Sequence, residues 1–232
     1  MRLSISLEIL KEVSLSQEHQ KILTDLLKIS LENIGKKFKN EWIFRNLSFE
    51  FYKNDPVAII GPNGSGKSTL MQSLAGAIPI NEGKVTFENN KQVIPEEKWH
   101  ELLSFSAPYL ELIEEFTLAE SVNFHTKFKP FQDDINTSDF LEILELEKHK
   151  DKSVKNFSSG MRQKLKLGLA FYSLNDIILL DEPTANLDQK GFEWYLENVE
   201  KVLENKIVIV SSNEPKEYTF CKNHLNILNF KK

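Results

Sequence analysis

Residues Gly61-Pro62-Asn63-Gly64-Ser65-Gly66-Lys67-Ser68-Thr69 have the types and spacing of a loop that holds phosphate. Gly61, Gly66, Lys67 and Ser68 fill the four defining places of G-x-x-x-x-G-K-[ST]. Glycines let the backbone curl so that successive N–H groups point inward at an anion. Lys67 then reaches the β and γ phosphates, and the Ser68 hydroxyl is placed to ligand Mg²⁺. A second group lies far along the chain. Asp176-Ile177-Ile178-Leu179-Leu180-Asp181-Glu182-Pro183 is an apolar run that ends in two carboxylates. Beside a triphosphate, one acid holds the metal and the other orients and deprotonates an attacking water. Burying charge is costly, so placing Asp181 and Glu182 directly after four aliphatic residues needs a reason beyond structure. The two groups together imply a site for a nucleoside triphosphate.

The elements needed to position these residues can be read around them. Asp55-Pro56-Val57-Ala58-Ile59-Ile60 reads as a short buried strand entering the loop, and Thr69 to Ala75 as the helix whose N-terminus faces the anion. Upstream, Ile29 to Gly35 reads as a strand, with a Lys-rich turn around Phe38 and Trp42. Leu47, Phe49 and Phe51 alternate through a second strand. An aromatic there can stack on a base; Phe38 is the candidate, with packing as the competing reading, and Trp42 is assigned to the core. Downstream, Asn81-Glu82-Gly83 reads as a turn and Lys84 to Phe87 as a strand. Pro95 to Leu103 is a short helix, and Leu103 to Phe105 a strand that stops at Ala107-Pro108.

Residues 110–150 are mostly helical in pattern, with segments at Thr117–Phe128 and Ser138–Leu146, and suggest a second small lobe. The charges from Glu147 to Lys152 read as a solvated turn. Ser158-Ser159-Gly160 opens a further helix. Asp176 to Pro183 reads as a central strand buried on both faces, Phe192 to Leu203 as an amphipathic helix, and Ile207 to Val210 and Leu225 to Leu228 as the last strands. Strands alternating with helices after a phosphate loop predict an α/β fold with a mostly parallel sheet. Residues 1–27 form a prefix: Leu3, Ile5, Leu7 and Ile9 alternate like a strand, and Ser14-x-x-Gln17 caps a helix bearing Ile22, Leu23, Leu26 and Leu27. It reads as a helix packed on the domain's own surface or an upstream start, with a docking helix as the alternative.

Composition bounds the function. At 232 residues and a net charge of −5 the chain has the profile of a globular protein, and nucleic acid is not the expected partner. The single cysteine, Cys221, excludes an internal disulfide framework and fits a reducing, cytoplasmic setting. Cys221 and His224 have C-x-x-H spacing, but nothing nearby completes a metal site; they read as a strand-edge thiol and a surface histidine. No apolar run approaches the ~18 residues that a membrane span needs.

In order, the phosphate loop, Phe157-Ser158-Ser159-Gly160-Met161, Leu179-Leu180-Asp181-Glu182-Pro183-Thr184 and Asn186-Leu187-Asp188 resemble the nucleotide-binding subunit of ATP-binding cassette (ABC) transporters. The resemblance covers roughly residues 28–232. It implies an ABC ATPase fold with a parallel core, an antiparallel β subdomain and a helical subdomain near 108–172. It also implies ATP and Mg²⁺, held by residues 61–69, with Ser68 and Asp181 on the metal, Lys67 on phosphate and Glu182 as general base. Ser158 and Gly160 would touch the γ-phosphate bound to a second copy in a head-to-tail dimer, whose interface Asp188 would line. That dimer would drive a separate permease from the inner face of the membrane.

Three departures qualify the resemblance. The family signature Leu-Ser-Gly-Gly-Gln is Phe-Ser-Ser-Gly-Met here, so the glutamine's contacts have no counterpart at Met161. Ser106-Ala107-Pro108-Tyr109 stands where the family carries a glutamine that senses Mg²⁺ and contacts the partner. Asn213 stands where a histidine is expected; it can hydrogen-bond phosphate or water but carries no positive charge. Slow hydrolysis is the expectation, with Glu182 intact. Two alternatives remain beside the transporter subunit: an ABC-type ATPase without a permease, and a slow-turnover regulatory module.

Overall fold

The computed structural model describes residues 27–231. The strand and helix expected within residues 1–26 lie outside the described residues. Strands β1 (Lys28–Phe38) and β2 (Glu41–Tyr52) pair antiparallel, with Phe38 opposite Glu41. The turn between them is therefore confined to Lys39 and Asn40, and Phe38 and Trp42 belong to the strands rather than to a Lys-rich turn. Lys39 takes the left-handed conformation at φ 53° that reverses the chain so tightly. Trp42 is not a core residue. It is half-buried under the Arg45 guanidinium, 4.4 Å from its ring, with the Lys37 ammonium at 5.2 Å.

Strand β3 (Val57–Ile60) runs through the phosphate loop into helix α1 (Lys67–Leu74). Strand β4 (Glu82–Asn89) begins earlier than expected, because Glu82 and Gly83 already pair with β1 or extend toward it. Gly83 sits at φ 79°, where an added Cβ would lie 2.3 Å from the Glu32 carbonyl oxygen; a side chain there would break the pairing. The short β5 (Gln92–Ile94), which sequence patterning does not reveal, completes a sheet of order β2-β1-β4-β5. Helix α2 (Trp99–Leu102) leads into β6 (Leu103–Ser106).

Among residues 107–158 are two short α-helices and two single 3₁₀ turns, Glu147–His149 and Val154–Asn156, less helix than the pattern implies. Helix α3 (Leu118–Thr126) starts with a reciprocal cap between Thr117 and Glu120, and α4 (Thr137–Ile143) with one between Asn136 and Asp139. Helix α5 (Ser159–Tyr172) packs closely on α4: a Cβ on Gly168 would lie 2.4 Å from Leu144 Cδ2. Strand β7 (Ile177–Asp181), helix α6 (Gln189–Lys201), β8 (Ile207–Ser212) and β9 (Asn223–Asn226) follow. The last strand starts two residues earlier than its apolar run, and Ile227–Phe230 is a 3₁₀ turn.

Strands β6-β7-β8-β3-β9 make one sheet, parallel throughout. Alternate residues of its strands feed two cores. Ile178, Leu180, Val208 and Val210 face the core shared with Phe140, Leu165, Phe171 and Tyr195. Ile177, Leu179, Ile207 and Ile209 face the core shared with Leu70, Leu74 and Phe51. All five residues of β7 are buried, as the unbroken apolar run requires. Cys221 is buried in the first core, not a strand-edge thiol, and burial pushes its pKa up to about 12. Among the described residues no helix is long and apolar enough to cross a membrane.

Candidate functional site

Because the sheet is parallel, β6, β7, β8 and β3 all release their chains at one edge, the place where open α/β sheets collect ligands. Register brings the sequence-identified groups into line there. Asp181 lies opposite Ser211 of β8, and Ile60, the last residue before the phosphate loop, lies opposite Ser212. Asn213 follows at the end of β8 and is exposed.

The loop's glycines have physical reasons to be glycine. Gly66 caps α1 at φ 103°, and a Cβ there would come 2.4 Å from Ile43 Cγ2 of β2. A Cβ on Gly61, at φ 153°, would meet Ser65 Oγ at 2.7 Å. Pro62, Asn63 and Gly64 are exposed, while Ser68 and Thr69 are half-buried at the start of α1. Lys67 is buried, and its Nζ donates to the carbonyl oxygens of Gly61 at 2.9 Å and Pro62 at 3.3 Å. The ammonium is thus held inside the curl of the loop.

Asp181 is only 1% exposed, and its Oδ2 accepts a hydrogen bond from the Tyr109 hydroxyl at 3.2 Å. Its Oδ1 has no hydrogen-bond partner among the described residues, nor do the buried hydroxyls of Ser65, Ser106 and Ser211. Buried polar atoms are nearly always paired, so four orphans near one sheet edge mark a place built for a polar ligand. Hard oxygen donors of this kind suit Mg²⁺, so the residues present fit a metal–nucleotide.

Glu182, half-buried, sits at φ 44°, a left-handed conformation that costs a non-glycine residue about 1–2 kcal/mol. Its surroundings over-determine it. The Glu182 N–H donates to the Ser211 carbonyl at 2.8 Å, Gln163 Nε2 donates to the Pro183 carbonyl at 2.8 Å, and Thr184 donates through its N–H and its hydroxyl to the buried Glu217 carboxylate. Gln163, Glu217 and Tyr109 escape a reading of the sequence. Only Tyr109 leaves a signal there, as the residue beside the absent glutamine.

The remaining candidates lie apart. Ser158 caps α5, accepting from the Met161 N–H at 3.2 Å. Ser158, Gly160, Asn186 and Asp188 line one cleft that includes none of residues 61–69. The Asp188 carboxylate is engaged locally: Oδ1 accepts from the Gly191 N–H at 2.8 Å and caps α6. Phe38 ends β1 half exposed, with the Lys36 ammonium 4.8 Å from its ring centroid. Among the described residues no group of three or more His, Cys, Asp and Glu side chains is placed to hold a metal ion by itself.

A family model described as "ABC transporter" matches residues 44–185. The chain is 29% identical over 201 residues to the uncharacterized ABC transporter ATP-binding protein YybJ of Bacillus subtilis, covering 83% of this chain and 89% of that protein. It is 28% identical to the linearmycin resistance ATP-binding protein LnrL of the same organism, covering 86% of this chain and 66% of that one. A dimeric structure of a bacterial ABC transporter cassette shares the fold, with a TM-score of 0.74 at 23% identity, covering 86% of this chain and 94% of that one.

Proposed function

The chain belongs to the ABC transporter family and is an ATP-binding cassette ATPase, and from that premise we propose that it is the motor subunit of a transporter whose permease is a separate chain. One observation supports the chemistry above others. A buried carboxylate, Asp181, with one oxygen that finds no partner among the described residues, shares a sheet edge with a phosphate loop whose lysine is turned inward. In this reading the backbone N–H groups of residues 61–69 other than Pro62, together with Lys67, bind the phosphates, and Phe38 stacks on the base. Ser68 and Asp181 hold Mg²⁺, and Glu182 takes a proton from the attacking water. When bound, the metal supplies charge stabilisation for the transferring phosphoryl group.

Ser158, Gly160 and Asp188 act in trans. Their cleft holds no residue of the chain's own phosphate loop, which favours a second copy, head to tail, bringing its ATP to them. The catalytic unit would run from residue 28 to 232, with 108–172 as its helical part and 1–27 as a prefix. The protein would work at the cytoplasmic face of the membrane through its permease. A slow-turnover regulatory module is the second reading, favoured by Asn213 in the place of a positively chargeable histidine.

Steady-state ATP hydrolysis measured against protein concentration, with Glu182→Gln alongside, tests both. A rate that climbs faster than linearly and disappears in the variant is expected if two copies build each site. A rate equal to the variant's at every concentration would put the regulatory module in front.

A further inference from the structure

We infer that Tyr109 is a positioning residue of the ATPase site, its hydroxyl fixing the orientation of the Asp181 carboxylate. The hydroxyl donates to Oδ2 at 3.2 Å, and Oδ1 of the same group is left without a partner among the described residues. A carboxylate accepts at two equivalent oxygens; a donor that engages one of them selects which oxygen remains for another ligand. In a group 1% exposed, water cannot do this in its place. A phenol suits the task because it is a neutral donor and leaves the charge of Asp181 available.

The loop bearing Tyr109 is itself held. Lys166 Nζ, from α5, donates to the carbonyl oxygens of Ala107 at 2.9 Å and Pro108 at 3.1 Å. The phenol ring meets Phe105 edge to face at 6.3 Å. The loop that bears Tyr109 therefore joins the end of β7, through the hydroxyl, to the helix opened by Ser158, through Lys166. Its side chain is nonetheless 45% exposed, so little of its worth to this chain comes from burial.

The inference rests on the reading of Asp181 as a metal ligand, and the experiment separates the two. In the full chain loaded with ADP and freed of unbound nucleotide, Mn²⁺ affinity is measured from the paramagnetic resonance signal of free Mn²⁺ for wild type, Tyr109→Phe and Asp181→Asn. Tyr109→Phe deletes one oxygen from a half-exposed side chain and should fold. Losing a hydrogen bond to a charged group should weaken Mn²⁺ about tenfold, with ADP affinity in chelator unchanged and a modest fall in melting temperature because Oδ2 is left bare. Asp181→Asn should weaken Mn²⁺ binding more than Tyr109→Phe does, the nucleotide phosphates and Ser68 remaining as ligands. If Asp181→Asn weakens Mn²⁺ while Tyr109→Phe leaves it unchanged, the role of Tyr109 falls and the metal site stands. If neither changes it, the metal reading of Asp181 fails and takes the inference with it. A lower melting temperature and weaker chelator-state ADP binding at unchanged Mn²⁺ affinity would assign the hydroxyl to folding alone.

Discussion

At the scale of single residues the site divides into groups that are conformationally forced and groups that are chemically chosen. Gly66 is forced: its left-handed φ, and an Ile43 methyl 2.4 Å from where a Cβ would stand, leave no room for a side chain. Asn213 is chosen. It stands exposed at the end of β8, next to the strand that carries the phosphate loop, and nothing in its packing demands an asparagine. A neutral amide can hydrogen-bond a phosphate oxygen or an attacking water but cannot lend it positive charge. Asn213→His should therefore raise kcat several-fold below pH ~6.5, where imidazole is charged, and less at higher pH. Steady-state assays across that range decide it. An equal or lower kcat at every pH would mean that Asn213 does not face the reacting phosphate.

At the scale of elements, the helical part is tied to the sheet through polar contacts as well as its apolar core. His125 of α3 lies beside Ser173, just past α5, with Nε2 and Oγ 2.7 Å apart. Burial, and secondarily the Lys129 ammonium, pull its pKa down from 6.5 to about 4. Folding therefore favours the neutral ring, and the unfolded chain takes up the proton first. The resulting stability is complete above pH ~6.5 and is lost as pH falls towards 4, amounting to about 1–2 kcal/mol by pH 5. Thermal melts at pH 7 and pH 5 should show a smaller loss in His125→Gln than in wild type; equal losses would place the acid sensitivity elsewhere.

None of that tie is legible in the sequence, and the reason is physical. Residues 61–69 stand out because a phosphate-loop pattern restricts residue type at short, fixed spacing, and Asp181 because a carboxylate directly after an apolar run is unexpected. β7 stands out because burial on both faces forbids polar residues. Contacts such as His125–Ser173, 48 positions apart, or Gln163–Pro183, 20 apart, leave no local pattern. Short elements are no easier: β5 has three residues, two of them exposed, and carries too little alternation to be recognised. The turn at Lys39-Asn40 is hard to place because lysines flank it on strand and turn alike, so charge does not mark its ends.

At the scale of the whole molecule, one helix joins the two places where the proposed dimer would meet ATP. The N-terminus of α5 presents Ser158 and Gly160 to the outer cleft, while its middle reaches the chain's own site. Gln163, 1% exposed, donates to the Pro183 carbonyl in the strained turn after Asp181, and Lys166 holds the loop before Tyr109. A shift of either loop must therefore move α5 or break a buried hydrogen bond, and leaving the Pro183 carbonyl unsatisfied costs about 1–3 kcal/mol. Occupancy of a protomer's own site should in this way reach the surface it offers to the other. Amide exchange on the ADP-bound protein, which keeps contacts to a second copy's γ-phosphate out of the comparison, should slow both in residues 181–187 and in the first half of α5. Gln163→Met, close in volume but without the donor, should retain the first effect and lose most of the second, with a modest drop in melting temperature. If α5 answers ADP as strongly in that variant as in wild type, the connection runs through the shared apolar core instead, and the buried amide serves only to satisfy a carbonyl.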